Sequence, residues 1–586
     1  MMSQNNISRL KIEEEVSTWA LETFGYNFAF RKYQKKTCID VIYSFLTGTT
    51  NYILEAPTGS GKSITAIIIG GVLSTYYGKR GYVLISDLSL LQQYERDINK
   101  FLYGTWGIIK GQDNYRCNAN GLTFKLGDCQ QHNMKNYSDI PLTYECGKDC
   151  EYLCARAKAQ QTKMTICTYQ FWFTYQNALS NNIENGFGER DFIICDEAHK
   201  LVDIIQSIYS IQLSNTERNN IDTIKSMMTD GFSMVSSEIQ DLMEKMLTSK
   251  DDPQVLLSTM KTMVPKLEAY YVSAIANFKK INSSIKGRKL RSYMYACTWL
   301  KGYYDSMLMF ISSIEHDLSR LIVTYSERGK DRTMILNSLD EEYLMNKYFY
   351  PHFKNCLYMS ATIGDPVLYA NNCHMTSYEY KIVESTFDFT KSPIFYCPDY
   401  KMNYESKQTS MPHIIDMCNK IINMFPNNRG CILTSSYEMT NLIYEGLDSD
   451  KKGRILQYNN SKSKQEILDE YKYCKNSIMI GPSLFDGLSF DDDLCRFLII
   501  VKVPYPDLKS EFIRKKAENN YNWYAGQASL SVIQGVGRGV RSEHDWCYSF
   551  ILDGCFCGLY QQTYKMYGNH ISSRLIKIND KFQIVQ

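Results

Sequence analysis

The run Glu55-Ala56-Pro57-Thr58-Gly59-Ser60-Gly61-Lys62-Ser63 has the residues needed to hold phosphate. Gly59 and Gly61 can take positive φ and turn successive backbone N–H groups onto anionic oxygens, with a helix N-terminus behind them. Lys62 supplies a cation for the β- and γ-phosphates, and the Ser63 hydroxyl a ligand for Mg²⁺. Ala56 stands where the commoner pattern has its first glycine, giving the A-x-x-G-x-G-K-[ST] form. Two carboxylates form a second chemical group, Asp196 and Glu197 of Asp196-Glu197-Ala198-His199. They follow the apolar run Phe192 to Cys195, which puts them at the carboxyl edge of a parallel strand, where nucleotides bind. There Asp196 can hold Mg²⁺ through its water shell, and Glu197 can orient or deprotonate an attacking water. An Asp-Glu pair is also common at helix starts, but its place downstream of a phosphate loop favours catalysis.

Two further sets complete the chemistry. Gln534-Gly535-Val536-Gly537-Arg538-Gly539-Val540-Arg541 offers two guanidiniums, Arg538 and Arg541, expected on one face of a helix and suited to reach a nucleotide across a cleft. Gln34, just after Arg31, can pair its amide with the edge of an adenine; a surface glutamine at a helix start is the plainer alternative. Between Gly111 and Cys154 the chain is polar and turn-rich. It holds Cys117, Cys129, Cys146, Cys150 and Cys154, with 11, 16, 3 and 3 residues between them. Such a density in a reducing compartment suggests a four-thiolate site for an iron-sulfur cluster or for zinc, with free thiols as the alternative.

These groups need elements to position them. Asn51 to Leu54 reads as a strand before the phosphate loop and Ile64 to Ile69 as the start of a buried helix after it. Gly81 to Ser86 and Lys163 to Tyr169 read as further strands, with Leu90 to Phe101 as a helix between them. This alternation predicts a parallel, doubly wound sheet. From Leu201 to about Asn346 strand signal is absent, and Leu290, Tyr293, Cys297, Leu300, Tyr304, Leu308, Ile311 and Leu318 predict a helical insertion. Strand character resumes at Asn355 to Thr362, and a second α/β set follows at Gly430 to Ser435, Ser477 to Gly481 and Phe497 to Val501.

With 586 residues the chain exceeds the roughly 250 to 300 residues of a single core, so several domains are expected. A hydrophobic content of 44% excludes general disorder, and a net charge of +2 confines any nucleic-acid track to local patches. The polar, charged stretch Met1 to Glu14 lacks the apolar core of a secretory signal, and no run reaches the ~18 apolar residues of a membrane span. An intracellular, non-secreted protein with reduced thiols is expected, with no membrane partner.

The order of Gln34, the Ala56 to Ser63 loop, Asp-Glu-Ala-His, Ser360-Ala361-Thr362 and Gln534-x-x-Gly537-Arg538-x-x-Arg541 resembles that of superfamily 2 helicases. The cysteine insertion and the helical insertion are similar to those of the XPD/DinG family of iron-sulfur helicases. So are Gly111-Gln112-Asp113-Asn114-Tyr115-Arg116-Cys117, at the start of the cluster segment, and Phe485-Asp486-Gly487-Leu488-Ser489-Phe490, beside the family's W-E-G-x-D-F. Phe485, Ser489 and Cys555 replace the family's usual Trp, Asp and Arg. The resemblance runs from about Phe30 to about Phe556.

The resemblance implies an α/β fold of two RecA-like parallel-sheet motor domains, with an iron-sulfur insertion and a helical arch in the first. The corresponding boundaries are motor domain 1 at 1–110, 157–202 and 346–385, the cluster domain at 111–156, the arch at 203–345 and motor domain 2 at 386–586. It implies ATP bound by Arg31, Gln34, Pro57, Thr58, Gly59, Ser60, Gly61, Lys62, Ser63, Asp486 and Gly487. Mg²⁺ would be held by Ser63 and Asp196, and turnover would depend on Lys62, Asp196, Glu197, Gln534, Arg538 and Arg541. A 4Fe-4S cluster would sit on Cys117, Cys129, Cys146 and Cys150, with Cys154 as the alternative ligand and zinc as the alternative occupant. The implied activity is ATP-dependent helicase action on single-stranded and forked DNA, 5′ to 3′, by a monomer; RNA stays open as a substrate, and no protein partner is named by the residues. A rival from another class is a nucleic-acid-stimulated ATPase that remodels complexes without unwinding.

Overall fold

The computed structural model describes residues 8–585 except 58, 103, 119–120, 122, 127–148, 179–188, 229–232, 282–287, 385–387, 458–463, 483–491 and 541–544. Two seven-stranded sheets organise the chain. The first has the order Glu379–Ile382, Asn51–Glu55, Asn355–Ser360, Phe192–Asp196, Gly81–Ile85, Met164–Thr168 and Gly107–Ile108, with every neighbouring pair parallel. Its central strands are buried along their whole length, which is why they read as continuous Ile, Leu, Val and Tyr rather than as alternating patterns. Glu55 lies opposite Ser360, and Asp196 opposite Met359, so the phosphate loop, the acid pair and the Ser-Ala-Thr segment leave the sheet at one edge.

The second sheet, also parallel, has the order Ile455–Gln457, Ile478–Gly481, Gly430–Leu433, Phe497–Ile500, Tyr548–Ile551, Ile394–Tyr396 and Leu575–Lys577. Each sheet has an apolar core on both faces. Both are α/β lobes, as the alternation of strands and helices predicts. The helix Arg9–Phe24 closes one face of the first lobe through Ile12, Val16, Trp19 and Ala20. Trp19 packs where Gly71 has no side chain: a Cβ there would lie 1.9 Å from the indole. The buried Arg190 donates to the carbonyls of Gly81, Lys163 and Ala159 at 2.9, 3.0 and 2.7 Å, tying the starts of two neighbouring strands to the helix Glu151–Gln161.

Two expectations need correction. The stretch from Leu201 to Asn346 is not free of strands: Ser210–Leu213, Leu321–Arg328 and Asp331–Ser338 form an antiparallel sheet. Its strands are half exposed, so the sequence alternates instead of running apolar, and the turn is carried by Gly329 at φ +63°. This sheet shares a core with the helices Asn215–Lys225, Ser233–Thr248, Pro253–Ile281 and Arg288–Ile314, and Leu318 lies in a 3-10 turn beyond the last of them. The second correction concerns Arg538. The helix Tyr521–Val536 ends two residues before it, and Arg538 sits in the turn that follows. Glycines at 535, 537 and 539 weaken helix continuation, so the expected helical face for the two arginines is not formed at Arg538. Arg541 lies outside the described residues.

Candidate active site

The phosphate loop leaves the Asn51–Glu55 strand and enters the helix Lys62–Tyr76. Gly59 and Gly61 have φ of +80° and +83°, the conformation that a phosphate cradle requires and that other residues adopt at a cost. Lys62 reaches back across the loop, its Nζ donating to the Ala56 carbonyl at 3.2 Å. Arg31 donates to the Gly59 carbonyl. Gln34 is buried against the loop: its Nε2 donates to the Gly61 carbonyl at 3.1 Å and its Oε1 accepts from the Arg31 N–H at 3.1 Å. Its amide therefore braces the loop in this structure. Thr58, Asp486 and Gly487 lie outside the described residues, and Pro57 and Ser60 are in the loop itself.

Asp196 ends its strand fully buried, and its carboxyl is pushed up to about 6, by burial first and by the adjacent Glu197 carboxylate second. Lys62 and a hydrogen bond from the buried Tyr94 hydroxyl, 2.9 Å from Oδ2, act in the opposite direction. Tyr94 also interacts with the Ser63 hydroxyl and, with its own proton held tightly by burial, is a donor. One tyrosine thus gathers the carboxylate and the hydroxyl expected to hold Mg²⁺. A buried acid that ionises reluctantly, beside a hydroxyl and a lysine, suits a bound divalent ion, because added positive charge restores the carboxylate form. Sequence reasoning missed Tyr94, and its only signal was a polar-tipped aromatic on the inner face of the helix Leu88–Phe101.

Glu197 has φ +51° and ψ +44°, a left-handed conformation unusual for a residue with a side chain. Its N–H donates to Asp196 Oδ1 at 2.9 Å, and its Oε2 lies 3.4 Å from His199 Nδ1. Gln534 Nε2 donates to His199 Nε2 at 2.9 Å, so the ring proton sits on Nδ1 and is shared with Ser360 Oγ at 2.8 Å. Glu197, His199, Ser360 and Gln534 therefore form one polar chain from the acid pair of the first lobe to the second. Arg538, buried, follows Gln534 after the helix end.

Glu55, just before the loop, is a positioning group that the motif search passed over. Its Oε2 accepts from the N–H groups of Ile363 and Gly364 at 2.9 and 2.7 Å, tying the phosphate loop to the segment after Ser-Ala-Thr. Burial pushes its carboxyl up to about 7, against these two hydrogen bonds and Lys62. The folded protein thus binds this proton more tightly than the unfolded chain. Its stabilising share is complete below the ordinary value of 4.5 and is lost as pH rises through about 7. Glu55→Gln, which keeps the acceptor without the charge, is expected to gain on the parent protein between about pH 5 and pH 8, by up to about 3 kcal/mol. Unfolding midpoints of the two proteins across that range check this; a difference independent of pH would contradict it.

Cys117 and Cys150 are buried, and Cys154, one helical turn beyond Cys150, is exposed. Asn118 Nδ2 donates to the Asp149 carbonyl at 3.4 Å, which brings the segments carrying the two buried thiols side by side. Cys150 is the N-cap of the helix Glu151–Gln161, whose amide end faces negative charge favourably. Cys129 and Cys146 lie outside the described residues, and among the described residues no group of three or more metal-ligating side chains is assembled. Of the four expected ligands, Cys117 and Cys150 are the two that the structure describes, and both are buried. No described helix is long and apolar enough to cross a membrane.

Comparison with known proteins finds helicase relatives and solved structures of the same fold. A family profile described as helicase C-terminal domain matches residues 418–567, and one described as type III restriction enzyme, res subunit, matches residues 27–217. The ATP-dependent DNA helicase CHL1 of Debaryomyces hansenii is 21% identical over 69% of this chain. The ATP-dependent DNA helicase YoaA of Haemophilus influenzae is 22% identical over 85% of this chain and 86% of its own length. The solved structure of S. tokodaii Xpd4 superposes with a TM-score of 0.58 at 15% identity, covering 94% of this chain and all of that one. A solved XPD helicase does so with a TM-score of 0.61 at 16% identity, with the same coverage. These matches support a likeness to the XPD/DinG-like superfamily 2 helicases. It spans 57% of the length of the yeast CHL1 relative. The two parallel-sheet lobes are RecA-like, as in the XPD structures.

Proposed function

We propose that this chain is an ATP-driven motor that tracks along single-stranded DNA, 5′ to 3′, and separates the duplex ahead of it. The observation that carries the reading is the polar chain from Glu197 through His199 to Gln534, because it links the acid pair of one sheet to the other sheet. The same-edge exit of the phosphate loop and the acid pair, and the named helicase relatives, also support it.

In this reading the loop amides, Lys62 and Gln34 hold and orient ATP, Glu197 positions the attacking water, and Arg538 and Arg541 reach the γ-phosphate from the second lobe. An arginine so placed contributes about 10³ to 10⁵ in rate. Mg²⁺, held by Ser63 and Asp196, would neutralise phosphate charge. Residues 1–110, 157–202 and 346–385 make the first motor domain and 386–586 the second. Residues 111–156 form the cluster domain and 203–345 the arch, which together frame the strand. Cys117, Cys129, Cys146 and Cys150 would hold a 4Fe-4S cluster that stiffens this small domain; the exposure of Cys154 supports its being left out of the set. Grip on the strand would come from local Lys and Arg on phosphates and from aromatic stacking, about 1 to 3 kcal/mol per base.

The test is phosphate release by the full chain with Mg²⁺ and ATP, with and without single-stranded DNA or RNA. Stimulation of about tenfold or more by DNA is expected for a motor that closes on its track. Turnover indifferent to any nucleic acid would contradict the proposal.

A further inference from the structure

A second polar contact joins the lobes away from the nucleotide site. Lys516, on the helix Glu511–Asn519, has a side chain only 6% exposed. Its Nζ lies 2.6 Å from Glu341 Oε1, 2.7 Å from Gln206 Oε1 and 3.3 Å from Asp203 Oδ1. Three acceptors thus meet the three donors of one ammonium, and all three stand on helices at the two ends of the 203–345 insertion that pack into the first lobe's core. The ammonium also lies 4.1 Å from the centre of the Trp523 ring. Asp203 and Gln206, three apart, share a face of the helix Leu201–Ile208. Only the 3-10 turn Ala198–Lys200 separates that helix from Glu197. Glu341 begins the helix Glu341–Tyr348, which packs into the first lobe's core. Beside this contact, His199, Asp203, Leu368, Trp523 and Met566 line a cavity between the lobes, so packing there is not continuous. A buried ammonium set between two carboxylates is costly to pull apart and directional in what it accepts.

We propose that Lys516 is a positioning residue that registers the second lobe on the helix following the Asp-Glu-Ala-His segment. Through that register it sets where Gln534 and Arg538 stand relative to the acid pair. Among the described residues, the side-chain partners of Lys516 include none of the expected nucleotide-binding residues, so it acts on turnover through lobe placement. The inference rests on the reading of this cleft as an ATPase site.

Its test uses the full chain and three variants. Lys516→Met keeps the alkyl stem against Trp523 and removes the charge. It is expected to lower kcat for DNA-stimulated ATP hydrolysis about tenfold while KM for ATP changes less than about twofold, because the loop that holds ATP is intact. Lys516→Arg is expected to keep most of kcat. The double variant Lys516→Met with Glu341→Gln is expected to be no worse than Lys516→Met alone, since it leaves one fewer unpaired charge. An unchanged kcat in Lys516→Met, or a loss that appears in KM instead, would overturn the proposal. Should Lys516→Met not fold, Glu341→Gln reads the same split with the lysine in place. Amide exchange without nucleotide separates this claim from the ATPase reading. In Lys516→Met the Leu201–Ile208 amides should exchange about tenfold faster while the Asn51–Glu55 strand is unchanged, and Lys516→Arg should restore protection. Unaltered exchange in that helix would overturn the positioning role, whatever the ATPase assay gives.

Discussion

Lys62→Ala is expected to abolish ATP turnover and leave the fold intact. Lys62 is the only cation between Glu55 and Ser63, and it opens a helix whose burial comes from Ile67, Ile68, Ile69 and Leu73 rather than from its own side chain. Its structural contact, the bond to the Ala56 carbonyl, spans a loop already set by two glycines with positive φ. What is lost is charge on the γ-phosphate as negative charge moves toward the leaving oxygen. Removing one such stabilising group lowers turnover by about 10² to 10³ or more. Glu197→Gln is expected to separate binding from chemistry: it keeps the residue's shape and hydrogen-bonding reach to His199, so ATP affinity should survive while kcat falls about 10² to 10⁴. Titration with a fluorescent ATP analogue beside phosphate release distinguishes the two variants. Normal DNA-stimulated turnover in Lys62→Ala would contradict the phosphate-loop assignment.

The second large effect is expected at the cysteines. Cys117→Ser or Cys150→Ser should remove the yellow-brown colour of protein purified without oxygen and lower iron and sulfide from about four each per chain to near zero. Unwinding should go with them. Much of the ATPase should remain, because Lys62 opens the helix Lys62–Tyr76 and Asp196 ends the strand Phe192–Asp196, both outside this segment. Cys154→Ser should keep the iron, since that thiol faces solvent one turn beyond the buried Cys150. Colourless protein with one zinc per chain would contradict the cluster and leave the motor reading standing. Loss of iron in Cys154→Ser would move the fourth ligand to that position.

The parts legible in the sequence were those in which one residue type has few substitutes. Gly59, Gly61 and Lys62 announce a phosphate loop because only glycine takes those φ values cheaply, and the buried parallel strands announce themselves as unbroken apolar runs. The antiparallel sheet from Ser210 to Ser338 was missed because half-exposed strands carry Thr, Ser, Glu and Arg on their outer face, which weakens the signal against long helices nearby. The helix end before Arg538 was missed because an i, i+3 spacing looks helical until the glycines between are weighed. Tyr94, Glu55 and Lys516 were invisible for another reason. Each is an ordinary residue within its own element, and its role depends on a partner more than 100 positions away in the chain. The left-handed Glu197 also depends on such surroundings, since no neighbouring residue type demands that conformation.

The most direct measurement is strand displacement by the full chain with ATP and Mg²⁺ on two labelled duplexes, one with a 5′ single-stranded DNA tail and one with a 3′ tail. The expected result is release of the labelled strand from the 5′-tailed duplex only, dependent on hydrolysable ATP and lost in Lys62→Ala. Release from neither duplex by protein whose ATPase is stimulated by DNA would contradict the helicase claim and favour a remodelling ATPase.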